Sequence, residues 1–479
     1  MPTGQREGRM SLPNVLLIVL DSVRAANTSL HGHYNETTPE LEEFASTATV
    51  YTQARSPGIH SIASHVSLFT GYEVAEHRAV DHAATLEPGT TIWEELSETG
   101  YRTGLFTSNS VVAEASSLAR SFDDVDGPSS STYPFPGALS PDELSGETGK
   151  REFLRAVLGS DRPIRSLANG VSDQVRRIRG PTVDHDESRR HIDSFLEWTD
   201  EQTQPWAACL NLMDAHYPYL PAPRYDRWGG SRLRGLHEEI SEPLLREFLG
   251  DRPWWQLGAF ESLYDGCIRQ ADALVGELLG ALRARDELSE TLLVITSDHG
   301  EGFGEPCELG TPVRLIDHNF GINEQLTHVP LVVSHPGRDR SRMIDEPVSL
   351  AQFPAVVRAQ LEDRQRTFER DDPVLTTTYR IQEPGDELPL EADDRAPYFG
   401  PWHAMYRAGD GVVRKDALHG EYDAQMIIPN ARERSVVGRA DRSRVEDTVS
   451  SLESVAVVSG QQQVSDSIEQ RLTDLGYIQ

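Results

Sequence analysis

Apolar residues recur along this chain in two rhythms. Short, largely apolar runs rich in β-branched residues stand at Asn14–Leu20, Thr103–Thr107, Ala207–Leu212, Thr291–Thr296 and Val329–Ser334. A run apolar on consecutive positions predicts a strand covered on both faces, as in a parallel sheet. Between these runs the period changes. Pro39–Ala48 opens on proline with acidic residues in its first turn, and Thr91–Thr99 reads as a second helix. The clearest helix is Glu261–Arg285, with apolar residues at 264, 268, 271, 275, 278 and 282, a spacing that lines up one buried stripe. Strands alternating with helices predict a doubly wound α/β core.

Two stretches break this pattern. Asp124–Arg190 is rich in Ser, Pro, Gly and charge and reads as a surface insertion, part loop and part helix. After about residue 375 the alternation fades; Trp402–Arg414 has short strand-like runs and Asp466–Leu475 looks helical. The expected organisation is a main domain over about 10–375 and a small α+β subdomain over 376–479. At 479 residues the chain is long enough for both.

In an open parallel sheet, ligands sit at the carboxyl ends of the strands. One predicted strand runs straight into Asp21, and another into Ser297, Asp298 and His299. An Asp after a strand is by itself a common turn or cap residue. An adjacent Asp-His pair at a second strand end is more specific, because carboxylate plus imidazole suits Zn²⁺, Mn²⁺ or a similar ion better than a Ca²⁺ cage of oxygens. Ser61 opens a predicted helix. It is either a simple cap or a hydroxyl whose anion the helix dipole and a nearby metal both favour. His216 lies just after the 207–212 strand, in position to bind an anion or protonate a leaving group, and His318 precedes the 329–334 strand.

These residues fall in segments that resemble the sulfatase family of the alkaline phosphatase superfamily. The stretch ARSPGIHSIASHVSLFTG is similar to the sulfatase signature, matching it at Ser61, Ala63, Ser64, His65, Leu68, Thr70 and Gly71. NVLLIVLDSVRA resembles the first strand and metal Asp of that family, VITSDHGEGFGE its second metal segment, and NLMDAHYPYLPAP and DHNFGINEQLTHVPLVV its substrate-lining segments. The resemblance implies an alkaline-phosphatase-like fold: a mixed, mostly parallel sheet with helices on both faces and a small C-terminal α+β subdomain. It implies one divalent ion (Ca, Mn, Zn or Mg) held by Asp21, Asp298 and His299 with Ser61 completing the shell. It also implies hydrolysis of a sulfate ester from position 61, as serine or as formylglycine, with His216 and His318 contacting the substrate. Phosphoester hydrolysis or phosphoryl transfer from an unmodified Ser61 is the alternative, and an inactive binding homologue the second.

Three departures bear on that choice. Ser22 and His299 stand where many sulfatases have Asp and Asn, which leans toward the phosphatase-like branches. Ala63 and His65 stand where the signature has Pro and Arg, so a fixed cation is missing and a protonated His65 replaces it only in part. The expected substrate is a small-molecule or carbohydrate sulfate or phosphate ester.

Charge adds one constraint. The net charge is −31, and lysine occurs only at Lys150 and Lys415. Acid-rich, lysine-poor usage along the whole chain reads as a halophilic surface, whose self-repulsion salt screens. A field of this sign disfavours nucleic acid as a partner. Cys209, Cys267 and Cys307 are too scattered for a disulfide framework or zinc ribbon. The start of the chain is polar and Val15–Leu20 is too short to span a membrane, so the expected location is cytoplasmic. The charge pattern predicts that the thermal midpoint rises as KCl goes from roughly 0.1 M, where the Debye length is about 10 Å, to about 1 M, where it is about 3 Å. A midpoint that stays level or falls in that titration removes the halophilic reading.

Overall fold

In a computed structural model, residues 12–128, 155–157, 159–160, 162–163, 165–167, 185–241, 243–250, 252–337, 341–362, 364, 366–379 and 396–474 are described. An eight-stranded sheet forms the centre. Its strands are β1 (Asn14–Leu20), β2 (Thr49–Tyr51), β3 (Arg102–Thr107), β4 (Asp124–Asp126), β5 (Trp206–Leu212), β6 (Thr291–Thr296), β7 (Leu331–Ser334) and β8 (Arg342–Ile344). The order is β8-β2-β7-β6-β1-β5-β3-β4. From β6 to β4 every pairing is parallel. Strand β7 runs antiparallel to both β6 and β2, and β8 is parallel to β2, so the sheet is mixed and mostly parallel as expected.

The period-2 geometry of β1 divides the core. Leu16, Ile18 and Leu20 enter one apolar cluster; Val15, Leu17 and Val19 enter another on the opposite face. The first face is covered by α1 (Pro39–Ala45), α4 (Glu187–Asp200) and α5 (Trp254–Ala284), the second by α2 (Ser61–Thr70), α3 (Ile92–Glu98) and α6 (Phe353–Leu361). The predicted stripe at Tyr264, Ile268, Ala271, Val275, Leu278 and Leu282 is buried along α5, which begins seven residues before the sequence pattern placed it, at Trp254 rather than Glu261. The earlier turns bury Leu257 and Phe260. Helix α5 also anchors its neighbours through charge: the Asp272 carboxylate accepts from the backbone N–H groups of Glu40 and Leu41, both 3.0 Å away, at the start of α1.

Some boundaries differ from the pattern. The stretch 124–190 begins with an edge strand of the central sheet, β4, and ends inside α4; most of what lies between is outside the described residues. Strands β2 and β8 escaped notice because three residues carry no readable period. Cys209, Cys267 and Cys307 are free and buried. No helix among the described residues is long and apolar enough to cross a membrane.

A second, antiparallel sheet of five strands follows: β9 (Val374–Thr378), β10 (Trp402–Gly409), β11 (Val412–His419), β12 (Tyr422–Ile428) and β13 (Ser435–Gly438), with α7 (Arg442–Ser451) packed on β10 and β11. Lysine 415, on β11, is wholly buried. Its Nζ lies 2.9 Å from Glu308 Oε2 and 3.0 Å from Glu324 Oε1, and donates to the Ile322 carbonyl at 2.5 Å. Glu324 also meets Arg55 at 2.8 Å, and Thr327 bonds the Tyr406 hydroxyl at 2.9 Å. These contacts fasten the 308–327 loop to the second sheet. They also mean that no lysine reaches the surface among the described residues.

Removing one partner of a buried ionic cluster leaves the others uncompensated. Lys415→Met is expected to destabilise the fold by about 3–5 kcal/mol, measured as a lower denaturant midpoint at unchanged slope. A loss under about 1 kcal/mol would place this cluster with ordinary surface pairs.

Candidate active site

Strands β1 and β6 are adjacent and parallel, so their carboxyl ends open on the same edge of the sheet. Asp21 follows β1 directly, and Ser297, Asp298 and His299 follow β6. The chain leaves β1 sharply at Ser22, which takes a left-handed φ of 62°. That conformation is uncommon outside glycine, and the contacts of Ser22 account for it. Its N–H donates to Asp298 Oδ1 at 3.2 Å, and its Oγ donates to Asp21 Oδ1 at 3.0 Å. Ser22 therefore supplies one donor to each carboxylate. Asp21 Oδ2 receives two more, from Asn109 Nδ2 at 2.9 Å and Asn211 Nδ2 at 3.1 Å.

Helix α2 begins at Ser61 and is buried along its whole length. Ser61 Oγ accepts from Asn109 Nδ2 at 3.3 Å and lies 3.4 Å from His299 Nε2. Its position at the first helical residue puts the hydroxyl in the positive end of the helix dipole. One turn on, His65 Nδ1 is 2.8 Å from the Ser61 carbonyl and 3.6 Å from Asp298 Oδ2, so His65 braces both residues.

His299 Nδ1 lies 3.0 Å from the Gly300 carbonyl, which can only accept, so Nδ1 carries the proton and Nε2 presents a lone pair. Burial holds the ring below its ordinary pKa despite Asp298. For Asp21, burial works against ionisation, but His216, His299, His65 and the Asn109 amide outweigh it and hold the carboxyl below its usual value. The Nε2 lone pair thus faces a carboxylate oxygen: it lies 3.3 Å from Asp298 Oδ2, which is buried with no hydrogen-bond partner among the described residues. Buried lone pairs that converge in this way suit a cation. Donor atoms of Asp21, Asp298 and His299 lie within 4.8 Å of one another. This set of two carboxylates, one imidazole and an adjacent hydroxyl fits a divalent ion.

Beside it lies a second buried group, Glu301, Asp317 and His318, whose donor atoms also lie within 4.8 Å of one another. The His318 ring stands 4.3 Å from that of His299, 5.4 Å from that of His216 and 6.2 Å from that of His60. His318 Nδ1 is 2.5 Å from Asp317 Oδ1 and 3.6 Å from Glu301 Oε2. Burial opposes the imidazolium, but Asp317 and Glu301 overcome it and hold His318 protonated. Burial and the Asp317 charge push Glu301 up to about 8. Two glycines let these segments meet. A Cβ on Gly300 would lie 1.9 Å from the Gln325 carbonyl oxygen, and one on Gly302 would lie 2.5 Å from that of Asp317.

Every residue singled out from the sequence reaches this sheet edge. Asp21, Asp298 and His299 converge, Ser61 and His65 adjoin them, and His318 links the group to His216. Asn109, Asn211, His60, Glu301 and Asp317 were not singled out from the sequence, and Ser22 was noted only as a departure from the family pattern. Asn211 lies at the carboxyl end of β5, which pairs with β1, and Asn109 two residues after β3, which pairs with β5, so the strand-end rule applied to amides as well as acids would have found both.

Comparison with known proteins agrees with this architecture. The family model described as Sulfatase matches residues 13–359. Arylsulfatase K of Bos taurus is 22% identical over 377 residues, covering 72% of this chain and 63% of its own. The chain spans less than two thirds of the length of the curated relatives it matches first. Among solved structures, the phosphonate monoester hydrolase of Agrobacterium radiobacter superposes with a TM-score of 0.57 at 18% identity, covering 87% of this chain and 89% of that one. A 2-O GAG sulfatase superposes with a TM-score of 0.55 at 13% identity, covering 92% and 90%. The match of the family model over most of the chain, on a fold that carries its metal-type residues at one sheet edge, makes this chain a member of the sulfatase family.

Proposed function

We propose that this chain is a metal-dependent hydrolase of sulfate esters, acting through nucleophilic attack from position 61. The observation that carries the reading is Ser61 itself: a hydroxyl at a buried helix N-terminus, 3.4 Å from His299 Nε2 and 3.3 Å from Asn109 Nδ2. Asp21, Asp298, His299 and Ser61 would hold the ion, which lowers the pKa of the attacking hydroxyl and offsets charge on the ester oxygens. Ser61 Oγ, having given its proton to solvent, forms a bond to sulfur as the bond from sulfur to the alcohol oxygen breaks opposite it. His216 or His318 gives its proton to the departing alcohol. Water then attacks sulfur as its bond to Ser61 Oγ breaks, sulfate leaves, one of the water's protons returns to that histidine and the other restores the Ser61 hydroxyl. If position 61 is formylglycine, its hydrate attacks instead and sulfate leaves by elimination. The amide of Asn109 donates to Ser61 Oγ and Asp21 Oδ2 together, so it keeps nucleophile and ligand in register.

Similarity to a GAG sulfatase and to Arylsulfatase K supports a carbohydrate or small-molecule sulfate as substrate. A second reading, hydrolysis of phosphonate or phosphate esters by unmodified Ser61, is favoured by Ser22 and His299. Ser22 donates to both carboxylates where an Asp would add a third negative charge.

Ser61→Ala is expected to lower kcat by on the order of 10³-fold or more on an aryl sulfate. Full activity in that variant would sink the assignment of position 61. Parallel rates on aryl sulfate, aryl phosphate and aryl phosphonate, with mass spectrometry of the Ser61 peptide, separate the two readings: sulfate preference supports the first, phosphorus preference the second. Chelation should abolish turnover and Asp298→Asn should lower bound metal. Undiminished metal content in Asp298→Asn would remove the site as drawn.

A further inference from the structure

We propose that Tyr264 is a positioning residue for the metal centre, its hydroxyl holding the Ser22 turn against the two carboxylates; this rests on the reading of Asp21, Asp298 and His299 as metal ligands. Tyr264 belongs to the apolar stripe of α5, and its ring is wholly buried, 5.0 Å from that of Phe303 and 5.8 Å from that of Tyr219. A phenol in such a place needs a partner for its O–H. Two backbone groups meet it. The hydroxyl donates to the Ser22 carbonyl at 2.6 Å and accepts from the Arg24 N–H at 2.9 Å. Burial pushes the phenol well above its ordinary pKa, so the hydroxyl stays a donor.

Those two groups flank the turn that carries the donors to Asp21 and Asp298. Three consecutive N–H groups leave β1 there, each with a different side-chain acceptor: Ser22 to Asp298 Oδ1 at 3.2 Å, Val23 to Ser297 Oγ at 2.8 Å and Arg24 to the Tyr264 hydroxyl. The first two acceptors belong to the segment after β6, which itself binds the metal. Tyr264 ties the turn instead to a helix packed on the face of the sheet, a fixed point outside the ligand segments. Ser22 holds a left-handed φ of 62°, which serine adopts only where its surroundings enforce it. Without the hydroxyl, the Ser22 carbonyl and the Arg24 N–H are left buried and unmatched. The turn then relaxes toward an ordinary φ, which swings the Ser22 N–H away from Asp298 and its Oγ away from Asp21. Both carboxylates lose their orientation although no ligand has been altered.

The experiment is titration of full-length, chelator-stripped protein with Mn²⁺, read by electron paramagnetic resonance of the free ion, for the wild type, Tyr264→Phe and Leu278→Ala. Leu278→Ala is the packing control, because it opens the same core about four turns further along α5. Expected is a Kd for Mn²⁺ raised roughly 10-fold to 100-fold in Tyr264→Phe and unchanged in Leu278→Ala, even where the denaturant midpoint of the control falls as far. A Kd unchanged in Tyr264→Phe, or raised equally in both variants, overturns the proposal and leaves the metal centre standing. No bound Mn²⁺ in the wild type overturns the reading of the ligands as well. If Tyr264→Phe does not fold, the wild type still decides. Coupling between metal and clamp is reciprocal, so Mn²⁺ loading is expected to slow hydrogen exchange at the Arg24 amide, and exchange that metal leaves unchanged overturns the proposal.

Discussion

Two carboxylates buried side by side are the constraint on which this molecule turns. Asp21 and Asp298 reach one point because β1 and β6 are neighbours and parallel, and each ends in an acid. Burial of like charges is unfavourable unless donors and a cation converge on them. The surroundings supply the donors: the serine that turns the chain, the amides that end two neighbouring paths, and the imidazole whose proton is pinned away from the acids. What remains unmatched is positive charge. That remainder makes the arrangement read as a centre for chemistry and not as a stabilising network, since hydrophobic residues of similar volume would serve stability as well.

Much of this was legible in the sequence because the two strongest signals are local. A buried parallel strand must be apolar at every position, so β1, β5 and β6 stood out, and the residue after each strand is placed by geometry alone. Likeness to a family then joined segments that no period connects, such as Ser61 with His318. What stayed hidden depends on three-dimensional approach. Glu301 and Asp317 are sixteen positions apart in the chain, and only the meeting of their segments at Gly302 makes them one cluster. Asn109 was not singled out because an amide does not announce itself as acids and imidazoles do. Nothing local marks Lys415 as buried; its burial depends on acids supplied by a loop nearly a hundred residues earlier.

That buried lysine shows how the second sheet serves the first. The loop from Glu308 to Thr327 carries Asp317 and His318, and its carboxylates Glu308 and Glu324 are neutralised from β11 and from Arg55. Arg434, just beyond β12, also contacts Glu308. The C-terminal sheet therefore acts as a counter-charged wall behind one side of the centre. A loop so rich in acid would otherwise have its own reason to swing toward solvent.

Helix α2 has no face in water: each of its residues is buried, and Ser61 is 1% exposed at its start. This fixes an order of events in the life of the chain. A second protein that must grip the peptide around Ser61 cannot do so once the helix has packed. Any enzyme that rewrites position 61 has to do so while the chain is still being made or unfolded.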